Sequence, residues 1–142
     1  MNRTTFTISF LTHCLAHSPG TIPDRFVRSG DQILLTPAQW HAALGRAVPL
    51  SGVEANPADI QPELTFSAPT RLWRRRYGAD QYRTHETIWP GTEVSLRAVT
   101  QPCLSEDQLR RILTALGSFV GISPFGHRLG FGRFRLLSLT QT

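Results

Sequence analysis

The sequence of 142 residues predicts an α+β fold, in which an antiparallel sheet carries two helices on one face. Two helices have complete N-terminal capping signals, which begin at Thr36 and Ser105. Segments with alternating apolar and polar side chains precede and follow these helices. The resulting order is βαββαβ, with an additional hairpin or long loops. No internal repeat or compositional boundary is evident, so residues 1–142 are expected to form a single domain.

The first half of the chain predicts one strand and one helix. Residues 5–11 alternate between apolar and polar side chains, which is typical of a strand with one buried face. Residues 24–30 are predicted to form an exposed loop or hairpin. The helix that follows Thr36 is expected to end at Pro49, because proline lacks the N–H that a helix needs. Its apolar positions recur at helical spacing, at Trp40, Ala43, Leu44 and Ala47. Residues 48–64 show little periodicity and are predicted to be a loop.

The middle of the chain predicts extended structure. Residues 64–77 begin as a strand, are interrupted at Pro69 and resume in an arginine-rich run. A turn at 78–80 leads into a second extended segment, 81–89. Residues 92–100 alternate cleanly, so they are predicted to form a half-buried strand.

The second helix is the most strongly indicated element. Ser105 caps it and Gln108 completes the capping box, while two acidic residues favour the positive end of its dipole. Gly117 is expected to end it in a left-handed conformation. A final strand is predicted at 133–139.

The stretch Gly117–Arg135 contains five of the eleven glycines, interleaved with three arginines and a histidine. Glycine allows positive φ and close approach of another backbone. A phosphate chain needs accessible amides and nearby guanidinium groups, so this stretch is a candidate ligand-binding loop. The alternative is that the glycines only shape turns between packed elements.

The charge of the chain favours an anionic partner. The net charge is +5, and all fifteen basic residues are arginine. Arginine binds phosphate through two parallel hydrogen bonds and stacks on bases, which suits nucleic acid. The positive charge is also compatible with an acidic protein partner, and a GC-rich genome would favour arginine without any functional reason.

Neither a membrane segment nor a secretion signal is evident. No apolar run reaches the ~18 residues that span a bilayer, and the start of the chain lacks a signal-peptide pattern. A cytoplasmic location, in a bacterium or a phage-infected host cell, is therefore expected. Cys14 and Cys103 form no metal-binding pattern and are expected to be reduced thiols.

Three blocks of the chain together resemble the RAMP superfamily of CRISPR repeat-associated proteins. They are the Pro-Gly-Thr strand start of residues 90–99, the leucine-rich helix after Ser105, and Gly121–Phe134 with its Gly-Phe-Gly-Arg ending. The resemblance covers residues 36–48 and 90–139. Within residues 36–48, Ala38-Gln-Trp-His41 stands where many members have a Gly-Ser-Ser-Leu-Lys-Gly pattern. It implies a ferredoxin-like (RRM-like) fold and contact with nucleic acid. This chain is also similar to short RAMP-like proteins that phages and mobile elements carry.

The resemblance also implies that the glycine-rich loop contacts the RNA backbone, with Arg128 pairing with a phosphate. The residues it places at the ligand are Gly126, His127, Arg128, Gly130, Gly132 and Arg133.

A second basic patch alternates arginines with aromatic residues, the combination that single-stranded nucleic acid needs for charge neutralisation and stacking. Its residues are Arg71, Trp73, Arg74, Arg75, Arg76, Tyr77, Tyr82 and Arg83. The alternative is a solvated strand edge whose charges prevent edge-to-edge pairing.

The sequence gives little support to catalysis. RAMP-type repeat endoribonucleases often use a histidine on the 2′-hydroxyl, and the candidates here are His13, His17 and His127. None has an evident catalytic partner in the sequence, and no metal site or cofactor is expected.

The leading hypothesis is a non-catalytic, RAMP-like protein that binds RNA or single-stranded DNA within a CRISPR-type ribonucleoprotein complex. One alternative is a phage- or plasmid-encoded protein that inhibits CRISPR immunity by binding an effector. Another is a metal-independent repeat endoribonuclease, which usually joins two ferredoxin-like domains. The expected partners are nucleic acid and the protein subunits of a CRISPR-type or phage complex, without a membrane.

Overall fold

A computed structural model of the chain describes residues 1–17, 23–123 and 129–142. The predictions for Gly126, His127 and Arg128 lie outside these residues. Within them the protein is α+β with antiparallel sheets, as the sequence predicts.

The described residues form ten strands and two α-helices. They are β1 (Asn2–Phe10), β2 (Cys14–Leu15), β3 (Arg28–Ser29), β4 (Gln32–Leu34), α1 (Pro37–Ser51), β5 (Ile60–Pro62), β6 (Thr65–Phe66), β7 (Arg71–Arg76), β8 (Tyr82–Ile88), β9 (Glu93–Thr100), α2 (Glu106–Ala115) and β10 (Phe134–Gln141). A 3₁₀ turn, Pro57–Asp59, precedes β5, and a π-helical turn, Leu116–Val120, continues α2.

The main sheet has the strand order β10-β1-β9-β5, and its neighbouring strands are antiparallel. Phe6 lies between Leu96 of β9 and Leu139 of β10, and all three side chains are buried. The alternate residues of β1 and β9, such as Thr5 and Arg97, are exposed. The sheet therefore has one face toward the core and one toward solvent, as alternation of side chains predicts.

Both helices contribute to the core on the buried face of this sheet. Trp40 and Leu44 of α1 and Leu109 and Ile112 of α2 belong to the same buried cluster as Phe6. The predicted capping boxes are confirmed at both N-termini, which satisfy backbone N–H groups that a helix leaves unpaired. Cys14 is a buried free thiol and Cys103 an exposed one.

The ends of both helices differ from the prediction. Pro49 does not end α1, which continues to Ser51 and closes at Gly52 with φ +73°. A proline in the last turn removes only its own N–H, a small loss near a helix end. Gly117 does not end α2, because the chain continues through the π-helical turn to Gly121.

The segment predicted as a loop, 48–64, holds the end of α1, a 3₁₀ turn and β5. β5 is the outer strand of the main sheet beside β9. A strand of three residues is too short for its alternation to be recognised, and its position in the sheet is decided by pairing with β9. Among the described residues, no helix is long and apolar enough to cross a membrane.

Candidate nucleic-acid interface

A hairpin of β7 and β8 stands at one end of the main sheet, and it confirms the prediction of two extended segments around a turn. β7 and β8 pair antiparallel, with Trp73 opposite His85, and β2 pairs with the other edge of β8. The N–H of Gly91, which has φ +88°, donates to the carbonyl of Phe10 at 2.8 Å. This turn joins β8 to β9 and places the hairpin beside the end of β1.

The two faces of the hairpin carry different parts of the second basic patch. Because side chains alternate along a strand, Arg71, Trp73 and Arg75 share one face of β7, while Arg74 and Arg76 share the other. The sequence grouped these residues as one patch. In the structure they form two surfaces, and the face with Trp73 meets the described part of the glycine-rich stretch at Phe131.

Four aromatic rings meet on the Trp73 face, and we call them the aromatic cluster: His13, Trp73, Trp89 and Phe131. The rings of His13 and Trp73 are stacked, with centroids 4.2 Å apart and planes inclined by 15°. His13 also meets Trp89 edge-on at 4.7 Å, and Phe131 meets Trp73 edge-on at 6.2 Å. These residues come from four separate segments of the chain, so the cluster exists only in the folded protein.

Two guanidinium groups lie over rings on this face. Arg71 is over Trp89 at 5.5 Å from the ring centroid, and Arg75 is over Phe131 at 5.3 Å. Arg75 also lies 5.9 Å from the ring of Tyr77. Cations over aromatic faces are held at the surface while they keep their charge. The cluster therefore combines stacking surfaces with positive charge, at a site where the side chains of Trp73, Trp89 and Phe131 are half-buried.

The described part of the glycine-rich stretch is bound tightly to the end of β1. The N–H of Gly132 donates to the carbonyl of His13 at 2.7 Å, and its carbonyl accepts from Ile122 N at 3.1 Å. Thr12 Oγ1 donates to the carbonyl of Gly130 at 2.7 Å and accepts from Arg133 N at 2.9 Å. These bonds fix Phe131 and His13 relative to each other. They also engage the amide of Gly132 within the protein.

Three of these glycines are required by close packing. A Cβ on Gly117 would lie 2.3 Å from the carbonyl oxygen of Phe134, and one on Gly121 would lie 2.5 Å from that of Phe131. A Cβ on Gly132 would lie 2.4 Å from Ser123 N. Gly130 differs, since its nearest neighbour would be Arg133 Nε at 3.9 Å. The turn-shaping interpretation therefore holds for the first three positions, while Gly130 has space beside it.

Two buried carboxylates, Asp24 and Glu86, link the hairpin to residues 24–28. Asp24 pairs with Arg83, whose Nη2 donates to its Oδ1 at 2.9 Å, and lies 3.1 Å from His85 Nδ1. Glu86 pairs with Arg28 and has an exposed fraction of 4%. Arg83, which the sequence analysis predicts to contact nucleic acid, is thus paired with a buried carboxylate that neutralises its charge.

The histidines predicted as catalytic candidates lie in different surroundings. His13 is in the aromatic cluster, where burial lowers its pKa, so its ring is neutral near pH 7. Among the described residues its Nε2 has no hydrogen-bond partner. His17 is exposed, and His127 lies outside the described residues.

The remaining predicted residues lie away from the aromatic cluster or are used within the protein. Arg74 is over the ring of Tyr82 at 4.3 Å on the opposite face of the hairpin. Arg76 Nε donates to the carbonyl of Gly78 at 3.0 Å in the hairpin turn. Arg133, beside Phe131, donates from Nη1 to the carbonyl of Ser118 at 3.0 Å.

Sequence reasoning missed Trp89 and Phe131. Each had a local signal: Trp89 ends an extended segment before Pro90, and Phe131 lies between two glycines of the candidate loop. Neither signal indicates contact with Trp73, which depends on how the hairpin and the C-terminal stretch come together. The part of the chain that the structure describes contains no group of three or more His, Cys, Asp or Glu residues that could hold a metal ion.

Comparison with known proteins gives a structural likeness. No protein-family model and no curated protein sequence matches this chain. Among solved structures, it is similar to a chain in the cryo-EM structure of the type III-B Cmr-beta bound to cognate target RNA. That likeness has a TM-score of 0.58 and 11% identity, and it covers 99% of this chain and 60% of that chain. A second similar structure is Csc2 of Thermofilum pendens, with a TM-score of 0.39, 14% identity, and coverage of 99% and 66%. This chain therefore spans less than two thirds of either, and the likeness to the Cmr-beta chain is one of fold.

Proposed function

We propose that this chain, whose fold is that of the RAMP superfamily, binds single-stranded RNA at the aromatic cluster without cleaving it. The observation that carries the proposal is the meeting of His13, Trp73, Trp89 and Phe131 with the arginines of the same hairpin face. Two surfaces that the sequence indicated separately, the glycine-rich stretch and the arginine-rich hairpin, are adjacent there.

Single-stranded nucleic acid fits this chemistry better than a duplex. Unpaired bases stack on aromatic rings, with each base contributing ~1–3 kcal/mol, while nearby arginines neutralise the phosphates between them. In duplex RNA the bases are already stacked and side chains cannot read its deep major groove. Arg71 and Arg75 are close enough to the rings to contact the phosphates of a base that stacks there.

We propose that the glycine-rich stretch also contributes to the RNA-binding surface. Gly130 has space beside its backbone, and Arg133 lies two residues beyond Phe131 in the adjoining turn. Gly126, His127 and Arg128 precede this turn in the sequence, and we propose that they extend the RNA-binding surface.

We also infer that the main sheet and its two helices form a ferredoxin-like unit. Counted along the chain, the four strands are β1, β5, β9 and β10, with α1 after the first and α2 after the third. The sheet order is then fourth, first, third, second, all antiparallel, and this order supports the inference. The β7–β8 hairpin is the additional element inserted before β9.

The partner is proposed to be a CRISPR-type ribonucleoprotein. The support is the shared fold with a chain of the Cmr-beta structure, which is described as bound to cognate target RNA. The alternative, a phage- or plasmid-encoded inhibitor that binds an effector, predicts tight protein binding that resists nuclease and little affinity for free RNA. A pull-down with and without nuclease therefore separates the two roles.

Arg71→Ala is expected to weaken binding of a single-stranded RNA, because it removes a phosphate contact beside Trp89. The dependence of log affinity on log salt concentration should also flatten by about 0.7 for a single-stranded ligand. Fluorescence anisotropy across a salt series measures both quantities, and the same series with single-stranded DNA tests the preference for RNA.

The matched control is Arg74→Ala, which removes the same charge from the opposite face of the same strand. It should leave the affinity and the salt slope nearly unchanged. Equal losses in both variants would mean that binding depends on net charge alone, and the proposed face would be wrong. Quenching of tryptophan fluorescence by the RNA, reduced in Trp73→Phe, would report stacking directly.

Incubation with hairpin RNA in the presence of a chelator is expected to leave the RNA intact. His13 is neutral and its Nε2 is unpaired within the described structure, so it is the residue that metal-independent cleavage would use. Gel analysis of the RNA measures cleavage. Cleavage that disappears in His13→Ala would replace the binding proposal with the endoribonuclease alternative.

A further inference from the structure

Within the described residues, β10 is an outer strand of the main sheet and has a long, weakly protected edge. The other outer strand, β5, has three residues and ends in a proline. β10 has eight residues, of which only Arg135 is charged, and contains neither lysine nor proline. Proteins usually protect long edge strands with charged residues, especially lysine, or with proline, because unpaired backbone groups are a template for another strand.

The register with β1 shows which backbone groups of β10 are directed away from the sheet. Arg3 and Thr142 exchange both backbone hydrogen bonds, at 3.1 and 2.8 Å, so they form a hydrogen-bonded pair. In an antiparallel pair the bonding residues alternate, which places Thr140 and Ser138 toward β1. Leu139 and Gln141 therefore direct their N–H and C=O groups outward.

A bulge changes this alternation in the middle of the strand. Thr7 is opposite Ser138 but Ile8 is opposite Leu136, so Leu137 is an extra residue. At the other end, Leu11 N donates to the carbonyl of Arg133 at 2.8 Å. The same alternation then turns Arg135 toward β1, and it turns the two neighbours of Arg135, Phe134 and Leu136, outward.

The outward residues are symmetric about the point between Leu137 and Ser138. An antiparallel copy of β10 centred there would pair Leu136 with Leu139 of the second copy, and Phe134 with Gln141. Both pairs consist of outward-directed residues. The backbone groups of Leu136 and Leu139 can bond across the edge, whereas the Phe134 carbonyl at the end of the strand is already in contact with Gly117. Leu136 and Leu139 are also both on the core side of the sheet, where they pack against the core.

The faces and charges of this arrangement also match. Arg135 would lie opposite Thr140, and both are exposed on the solvent face of the sheet. No like charges oppose each other, and Leu137, which is 37% exposed, would approach the two-fold axis. A bulge often protects an edge, but here it lies at the centre of symmetry. Because of its extra residue, the residues that direct their backbone groups outward on one side of the bulge are opposite outward-directed residues of the second copy.

We propose that β10 pairs with β10 of a second copy of this chain to form a two-fold symmetric dimer. The two main sheets then become one continuous sheet with the helices of both copies on the same side. Such an interface is isologous, so each pair of contacts occurs twice. The proposal is argued from the edge of β10 alone and does not rest on RNA binding; the Phe134 end of that edge lies near the aromatic cluster, and the Thr142 end lies at the opposite end of β1.

Sedimentation equilibrium of the 142-residue chain over a range of concentrations tests the dimer. The wild type should show a monomer–dimer equilibrium. Thr140→Arg should weaken the dimer by about tenfold, because two symmetry-related pairs then oppose Arg135 with a like charge. Thr140→Glu should strengthen it for the opposite reason. Thr5→Arg is the matched control, since Thr5 neighbours Thr140 on the same face but lies one strand away from the interface, and it should leave the dimer unchanged.

Disulfide cross-linking tests the register. In a Cys103→Ser background, Arg135→Cys combined with Thr140→Cys should give a covalent dimer on oxidation, because these residues would be directly opposite. Within one copy they are ~17 Å apart along the strand and cannot be joined. Arg135→Cys alone should not cross-link, because the two copies of residue 135 would lie ~17 Å apart along the paired strands. A wild type that remains monomeric at every concentration overturns the proposal, as does a dimer on which the two Thr140 variants act alike.

Discussion

Gly132→Ala is expected to destabilise the protein by about 3 kcal/mol, the sum of a left-handed backbone penalty and overpacking. Gly132 has φ +72°, which side chains disfavour, and its Cβ would lie 2.4 Å from Ser123 N and 2.7 Å from Ser123 Cβ. Neither neighbour can move easily, because Ser123 Oγ bonds to both the N–H and the carbonyl of Leu15. Urea unfolding at equilibrium measures the change, and the melting temperature should fall by roughly 10 °C.

Two other glycines make this prediction specific. Gly130 has a similar positive φ of +77°, but there is open space where a Cβ would lie. Gly130→Ala should therefore lower the free energy of unfolding only by the backbone penalty of about 1 kcal/mol. Gly45→Ala lies in the exposed middle of α1 with open space and should stabilise the protein by about 0.5–1 kcal/mol. If Gly132→Ala costs no more than Gly130→Ala, the close packing against Ser123 does not contribute as the geometry indicates.

The same substitution should weaken RNA binding beyond its effect on stability. The N–H of Gly132 holds the carbonyl of His13, and His13 stacks on Trp73. Displacement of this turn would therefore move two rings of the aromatic cluster. The affinity should be measured well below the melting temperature of the variant, so that loss of folded protein does not imitate loss of the site.

Glu86→Ala is expected to cost about 3 kcal/mol, the lower end of the range for breaking a buried ion pair. Glu86 Oε1 accepts from Phe26 N and from Arg28 Nη1, both at 2.8 Å, and Oε2 accepts from Thr70 Oγ1 at 2.7 Å and from Arg28 Nη2. Removal of the carboxylate leaves these donors without their acceptor. Arg28 is partly exposed and can turn to water, which limits the loss.

The stability that Glu86 contributes should depend on pH. Burial alone would raise its pKa, but hydrogen bonds from Arg28, Thr70 and the Phe26 amide outweigh burial and lower it. A carboxyl with a lowered pKa in the folded state stabilises fully above its unfolded pKa and loses that contribution as pH falls through the folded value. The free-energy difference between wild type and Glu86→Gln should therefore shrink from about pH 7 to about pH 3.

An exposed ion pair supplies the matched control for Glu86. Glu106 and Arg110 are one helical turn apart at 3.5 Å, and both side chains are about half exposed. Glu106→Ala should cost less than about 1 kcal/mol, because solvent screens such pairs. A cost for Glu86→Ala as small as this would contradict the anchoring role of the buried carboxylate.

Much of the fold could be predicted because its signals are local. The capping boxes at Thr36 and Ser105 satisfy backbone groups within a few residues, so sequence alone identifies them. The alternation in β1 and β9 likewise depends only on which side of a strand faces the core. The prediction failed where a long-range contact decided the structure. β5 is defined by pairing with β9, and Gly117 is required by the backbone of Phe134 rather than by a helix end.

The candidate site shows the same division. The sequence by itself determined the chemistry available, arginines alternating with aromatic residues in one segment and glycines with arginines in another, because residue type sets charge and stacking. Only the tertiary structure decided which of these residues act together. β-strand alternation sends Arg74 to the opposite face from Trp73, Asp24 neutralises Arg83, and the turn at Gly132 carries Phe131 to Trp73. These outcomes depend on contacts between residues far apart in the chain, and such contacts are fixed by packing and pairing rather than by any local pattern.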